Sequence, residues 1–172
     1  MDAKIDKAAA PDQPRATTVT LPSDREIVIT RTFDAPRTLV FDAWTKPEHI
    51  AHWWDPTREP LAQCDVDLSP GGAFRFVPRD HERAKHPFAG RYREIARPTR
   101  LVLVTSGVSP GSESIGTLLF DERDGQTTLT MTIACASKSD RDALLRMRID
   151  VGTTQTLDNL ADYLHHPWES TS

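Results

Sequence analysis

The sequence predicts an α+β domain, a curved antiparallel sheet wrapped around a long C-terminal helix. Three observations predict it. A β-branched segment near the N-terminus is followed at once by two short helical patterns. Strand-like runs then recur about every ten residues with no helix between them, which reads as a meander. The chain closes on one long helical pattern, the only element large enough to cover the apolar face of such a sheet.

Residues 1–24 hold three prolines and almost no bulky apolar side chains. They bury too little to offset ordering entropy, so a mobile tail is expected there. The domain is expected over 25–166, with a short tail at 167–172. Residues 25–33 (REIVITRTF) alternate and are β-branched, as in a strand. Asp34-Ala35-Pro36 then opens a helix, since proline lacks an N–H that the first turn could not use anyway. Leu39, Val40, Ala43 and Trp44 follow at helical spacing. Thr45-Lys46-Pro47 restarts the pattern, and Ile50, Trp53 and Trp54 line a second short helix.

Strand-like runs occupy 61–68, 73–78, 87–95, 101–106, 114–121 and 127–135. Ser69-Pro70-Gly71-Gly72 marks one turn and Asp124-Gly125 a tight hairpin. Ser139-x-x-Asp142 is a capping signal. Helical spacing then continues through Leu145, Ile149, Leu157, Leu160 and Leu164 to His165, roughly 25 residues or ~38 Å at the α-helical rise. The sequence shows no internal repeat.

The balance of 21 Lys+Arg against 25 Asp+Glu over 172 residues argues against a dedicated nucleic-acid binder. Two cysteines, Cys64 and Cys135, make neither a disulfide framework nor a zinc site. They read as buried thiols in a reducing compartment. The N-terminus has no signal-peptide core and no apolar run approaches ~18 residues, so a cytoplasmic protein without a membrane span is expected.

Parity assigns the inward face. Phe74 and Phe76 oppose Arg75. Phe88, Gly90, Tyr92 and Glu94 oppose Arg91 and Arg93, and Leu129, Met131, Ile133 and Cys135 oppose three threonines. Glu94 is thereby an acid on an aromatic face. It either ends the strand and reaches water or an arginine, or is a buried carboxylate that polarises a ligand. In the last helix, Gly152-Thr153-Thr154 interrupts the apolar stripe. Glycine costs about 1 kcal/mol there relative to alanine. Gly152 therefore marks either a close contact with the sheet or a cavity wall where Thr153 offers a hydroxyl.

The segments RTFDAPRTLVFDAWTKPEHIAHWW, CDVDLSPGGAFRF, FAGRYREI and LDNLADYL together resemble one family. It is the branch of the START-related SRPBCC superfamily named after the activator of the heat-shock protein 90 ATPase. The resemblance spans about residues 25–164. It implies a helix-grip fold with a cavity between sheet and C-terminal helix. It does not assign a ligand, because the superfamily includes lipid carriers, cyclases and receptors. Family members often carry Gly-Trp where this chain has Gly152-Thr153, which implies an enlarged or reshaped cavity.

Other motifs have bland readings. Gly107-Val108-Ser109-Pro110-Gly111 matches a nucleophile-elbow pattern, but strands flank it on both sides, so it reads as a hairpin loop. His49 and His52 share a helix face beside Asp55 without a second ligand pair, so no metal is expected. His81 and His86 fall in a polar, solvated loop. Seven arginines and one lysine between Arg75 and Arg100 read as a solvated outer face.

The leading expectation is a non-catalytic protein that binds a small apolar or amphipathic molecule, with no cofactor. Phe74, Phe76, Phe88, Tyr92, Met131, Ile149, Thr153 and Leu157 are the expected lining, with Trp53 or Trp54 at the mouth. Tyr92, Glu94 and Thr153 would orient polar atoms. The second reading is a cyclase, dehydratase or hydrolase using Glu94 or Tyr92 as general acid/base. The third is an interaction or regulatory module, a homodimer through a sheet edge or the arginine face among its forms.

Overall fold

The structure, a computed structural model, describes residues 16–165. The segments 1–15 and 166–172, and the tails expected there, lie outside the described residues. Eight strands form one antiparallel sheet in the order β1-β2-β8-β7-β6-β5-β4-β3. They are β1 (Thr18–Ser23), β2 (Glu26–Phe33), β3 (Gln63–Val66), β4 (Ala73–Val77), β5 (Phe88–Ala96), β6 (Arg100–Ser106), β7 (Glu113–Arg123) and β8 (Gln126–Ala134). Helices α1 (Arg37–Thr45) and α2 (Pro47–Trp53) follow β2, and α3 (Lys138–Arg146) and α4 (Ile149–His165) close the chain.

The meander and the two short helices follow the sequence pattern. Pro47 begins α2 at its first turn, as its missing N–H favours. Asp124 and Gly125 have φ of 52° and 78°, which lets a two-residue turn join Arg123 to its partner Gln126. Ile27, Ile29 and Phe33 of β2, Leu101 and Leu103 of β6, Leu118 and Phe120 of β7, and Leu129 of β8 form the sheet's side of the core. Val40, Phe41, Trp44, Ile50, Trp53, Leu157 and Leu160 form the helical side.

Three expectations are corrected. The segment expected to be tail through residue 24 contributes β1, which pairs Thr18 with Thr30 and Val19 with Ile29. Every residue of β1 is exposed, so it carried no hydrophobic signature. Its order comes from backbone pairing at the sheet edge. The single long helix is two helices. Arg148 takes φ +61°, a left-handed conformation that a right-handed helix cannot absorb, and neither glycine nor proline marks it. The cap lies two residues earlier than expected. Ser137 Oγ accepts the Asp140 N–H at 3.0 Å, while the Asp140 carboxylate reaches back to the β6–β7 hairpin.

That hairpin contains the glycine-serine motif. Ser109 Oγ and Ser112 Oγ both donate to Asp140, and Gly111 has φ +80°. The hydrogen bond from Ser109 is the largest cause holding the Asp140 carboxyl below its ordinary range. The motif is a hairpin stapled to the start of α3.

Candidate functional site

Aromatic residues from three elements meet at one end of the sheet. β4 supplies Phe74 and Phe76, β5 supplies Phe88 and Tyr92, and the end of α2 supplies Trp53 and Trp54. Cross-strand register sets the contacts, with Phe76 opposite Phe88 and Phe74 opposite Gly90. Gly90 is required there, because a Cβ would stand 2.9 Å from the Phe74 ring and 2.3 Å from a carbonyl of β6. The Phe74 ring centroid lies 5.4 Å from Phe76, 5.4 Å from Phe88 and 5.1 Å from Tyr92. Trp54 packs edge-on to Phe76 and tilted against Phe88, both at 5.0 Å. Tilted and edge-on pairs of this kind are favourable beyond the area they bury.

This cluster divides into core and wall. Trp53 is fully buried and its indole N–H donates to the Ala43 carbonyl at 3.0 Å. Trp53 is therefore a core pillar and not a residue at a mouth. Phe74 and Tyr92 are buried behind the front rank. Burial pushes the Tyr92 phenol above its ordinary value, so it stays protonated at physiological pH. Trp54 and Phe88 are half-buried and, with the buried Phe76 between them, form the outer edge of the cluster. They line a groove of about 440 Å³ together with Asp55, Pro56, Pro78, Glu82, Arg83 and His86. That volume falls within the range of small-molecule sites.

The polar side of the groove is built around Asp55, which is 1% exposed. Its Oδ1 accepts the Thr57 N–H at 2.9 Å and the Thr57 hydroxyl at 2.7 Å. Its Oδ2 accepts Arg83 Nη1 at 3.0 Å. Burial raises the Asp55 carboxyl, but the Thr57 hydrogen bonds and the Arg83 guanidinium outweigh it and hold it below its ordinary range. The buried Asn159 amide of α4 donates to the Asp55 carbonyl at 2.9 Å, tying the end of α2 to the last helix. A single 3-10 turn, Arg83–Lys85, carries Arg83 across the groove.

The other expected site residues lie elsewhere. Glu94 is corrected to the outer face. The β5–β6 register runs from Tyr92 opposite Leu103 to Glu94 opposite Val102, so Arg93 is an extra residue. This β-bulge reverses the parity beyond Tyr92. Glu94 emerges into solvent, its side chain 51% exposed and paired with Arg100, and Ile95 turns inward instead. An acid–base mechanism at a cavity Glu94 loses its carboxylate.

Leu157 is fully buried core. Met131, Ile149 and Thr153 are half-buried and do not line the groove. The close-contact reading of Gly152 does not hold, since nothing lies within 4 Å of where its Cβ would stand. The same is true of Gly116, whose cross-strand partners Leu103 and Ile133 put it on the inward face. The fully buried residues of α4 are Leu157 and Leu160, with Asn159 between them, so the helix is gripped by its second half.

His49 is half-buried and His52 exposed, and both meet Tyr163 of α4. His49 Nδ1 hydrogen-bonds the Tyr163 hydroxyl at 2.8 Å, and the His52 ring stacks on Tyr163. No metal-binding cluster occurs among the described residues. Five of the eight basic residues in the 75–100 segment pair with carboxylates, Arg83, Arg91 and Arg97 with partners outside the segment and Lys85 and Arg100 with partners inside it. The groove's polar residues escaped the sequence reading. Asp55 and Arg83 are 28 positions apart, and His86 carried only the signal of a polar loop.

A meandering sheet gripping a terminal helix, with two short helices closing one end, defines a START-like helix-grip domain. The chain belongs to the family of activator of Hsp90 ATPase homolog 1-like proteins, whose model matches residues 34–165. Its fold is similar to that of a protein from Rhodobacter sphaeroides at 22% identity, covering 87% of this chain and 97% of that one (TM-score 0.76). It is similar to an Hsp90 activator from Plasmodium falciparum at 22% identity, covering 82% and 96% (TM-score 0.64). CalU16 from Micromonospora echinospora matches at 23% identity, covering 89% and 88% (TM-score 0.61). At these identities the likeness is one of fold. No curated protein matches. No helix among the described residues is long and apolar enough to cross a membrane.

Proposed function

We propose that this protein binds a small apolar or amphipathic molecule in the groove fronted by Trp54, Phe76 and Phe88. The observation that carries the reading is the joining of an aromatic wall, the half-buried Trp54 and Phe88 backed by the buried Phe76, to a polar rim around a volume of about 440 Å³. Apolar walls with few, fixed polar groups are the usual composition of a ligand site. The rim is also preorganised, since Asp55 is locked by Thr57 and Arg83 before any ligand arrives. Binding then orders few side chains, which lowers its entropic cost.

The neutral fluorophore N-phenyl-1-naphthylamine tests this. The expected result is saturable binding with a blue-shifted emission. Phe88→Ala should weaken it about tenfold, as loss of one buried ring contact of ~1.4 kcal/mol would. Thr153→Trp should leave it unchanged. Absence of saturable binding overturns the reading. If Thr153→Trp alone abolishes binding, the site lies between sheet and α4 instead.

A further inference from the structure

The groove's rim discriminates by charge. From the accessibility of its polar groups we infer that the ligand is an amphipathic anion, an apolar ring or chain ending in a carboxylate. The inference rests on the groove being the binding site. A simple charge count does not favour it, because the lining holds Asp55 and Glu82 against Arg83 and His86. Accessibility reverses that count.

Asp55 is buried and both its oxygens are occupied, so it cannot meet a ligand. The Glu82 side chain is 81% exposed and its carboxylate is held by Lys85 at 3.2 Å. Arg83 is different. Its side chain is 40% exposed, and Nη1 is the only guanidinium nitrogen given to Asp55. Nη2 and Nε keep their N–H groups, and a guanidinium presents them as a planar fork suited to a carboxylate. His86 is exposed and makes no side-chain hydrogen bond or ion pair among the described residues. The charged donor left open at the rim is thus the Arg83 fork, with the exposed His86 ring beside it, while the exposed carboxylate of the lining, Glu82, is engaged by Lys85. Asp55 acts here as a positioning residue, holding the guanidinium at the edge of the aromatic wall.

Displacement of bound N-phenyl-1-naphthylamine by 2-naphthoate, 2-naphthamide and 2-naphthylmethylammonium tests the inference with one ring and three heads. The naphthoate should displace about tenfold better than the amide, and the ammonium worst. Raising salt should narrow the gap, because the head lies at a partly exposed rim. Arg83→Gln should abolish the preference for naphthoate while the amide still displaces. Arg83→Lys keeps a cation beside Asp55 and should retain part of the preference, and His86→Ala should reduce it without touching the Asp55 pair. Equal displacement by all three compounds, or the ammonium displacing best, overturns the inference while the groove remains the site. Failure of the fluorophore itself to bind overturns both.

Discussion

Arg83 reaches back 28 positions to close on Asp55, Nη1 to Oδ2 at 3.0 Å, and so ties the β4–β5 loop to the end of α2. One partner is half in solvent and the other is sealed from it. Asp55→Ala removes the acceptor of three hydrogen bonds and leaves the Thr57 N–H unanswered. The expected cost is about 1–3 kcal/mol, read as a lower urea midpoint.

The same carboxyl sets an acid limit. Its folded value lies below its ordinary 3.8, so the folded state binds its proton less readily than the unfolded chain. Its stabilisation is complete above about pH 4 and is lost as pH falls through the folded value. In the Asp55→Asn protein, urea midpoints measured between pH 5 and pH 2.5 should fall less steeply than in the wild type.

His49 acts at higher pH. Burial beside Tyr163 lowers its folded value below 6.5, which favours the neutral ring. The unfolded chain therefore takes up the proton first, and stability falls as pH drops from about 6.5. Melting temperatures between pH 7.5 and 5.5 should decline, and His49→Gln should flatten that slope.

Trp53 and Trp54 are neighbours with different duties. Trp53→Ala empties a fully buried volume and leaves the Ala43 carbonyl without its indole donor, for an expected loss of about 3–5 kcal/mol. Trp54→Ala removes a half-buried ring and should destabilise less while weakening the fluorophore more. Chemical denaturation and the binding titration, run on both variants, separate the two roles.

Glu94 is an outer-face residue, so Glu94→Gln should change stability by no more than about 0.5 kcal/mol and leave binding intact. Deleting Arg93 is the opposite experiment. It removes the bulge, restores simple alternation and turns a carboxylate inward among rings. That protein should lose several kcal/mol or fail to fold, judged by circular dichroism and thermal melting.

Much of the fold was legible because its causes are local. Alternation in β4 and β8, the Asp124-Gly125 turn, and the prolines at the starts of α1 and α2 each act over a few residues. The aromatic positions were legible for the same reason, since period-two patterning places Phe74 and Phe76 on one face whatever the rest of the chain does.

What the tertiary structure decided lies where one residue, or one distant partner, outweighs a pattern. A single extra residue, Arg93, moved Glu94 from the inside to the outside. One left-handed residue, Arg148, broke a helix whose apolar spacing ran on from Leu145 to Ile149. β1 owes its place to a neighbour's free backbone groups and has no buried residue of its own. The groove required Asp55 and Arg83 to meet across a loop, and Trp53 and Trp54, adjacent in sequence, to part into core and wall. Local periodicity reports which face a side chain takes. Only the packed molecule determines which faces meet, because burial and charge pairing are properties of neighbours that sequence spacing does not encode.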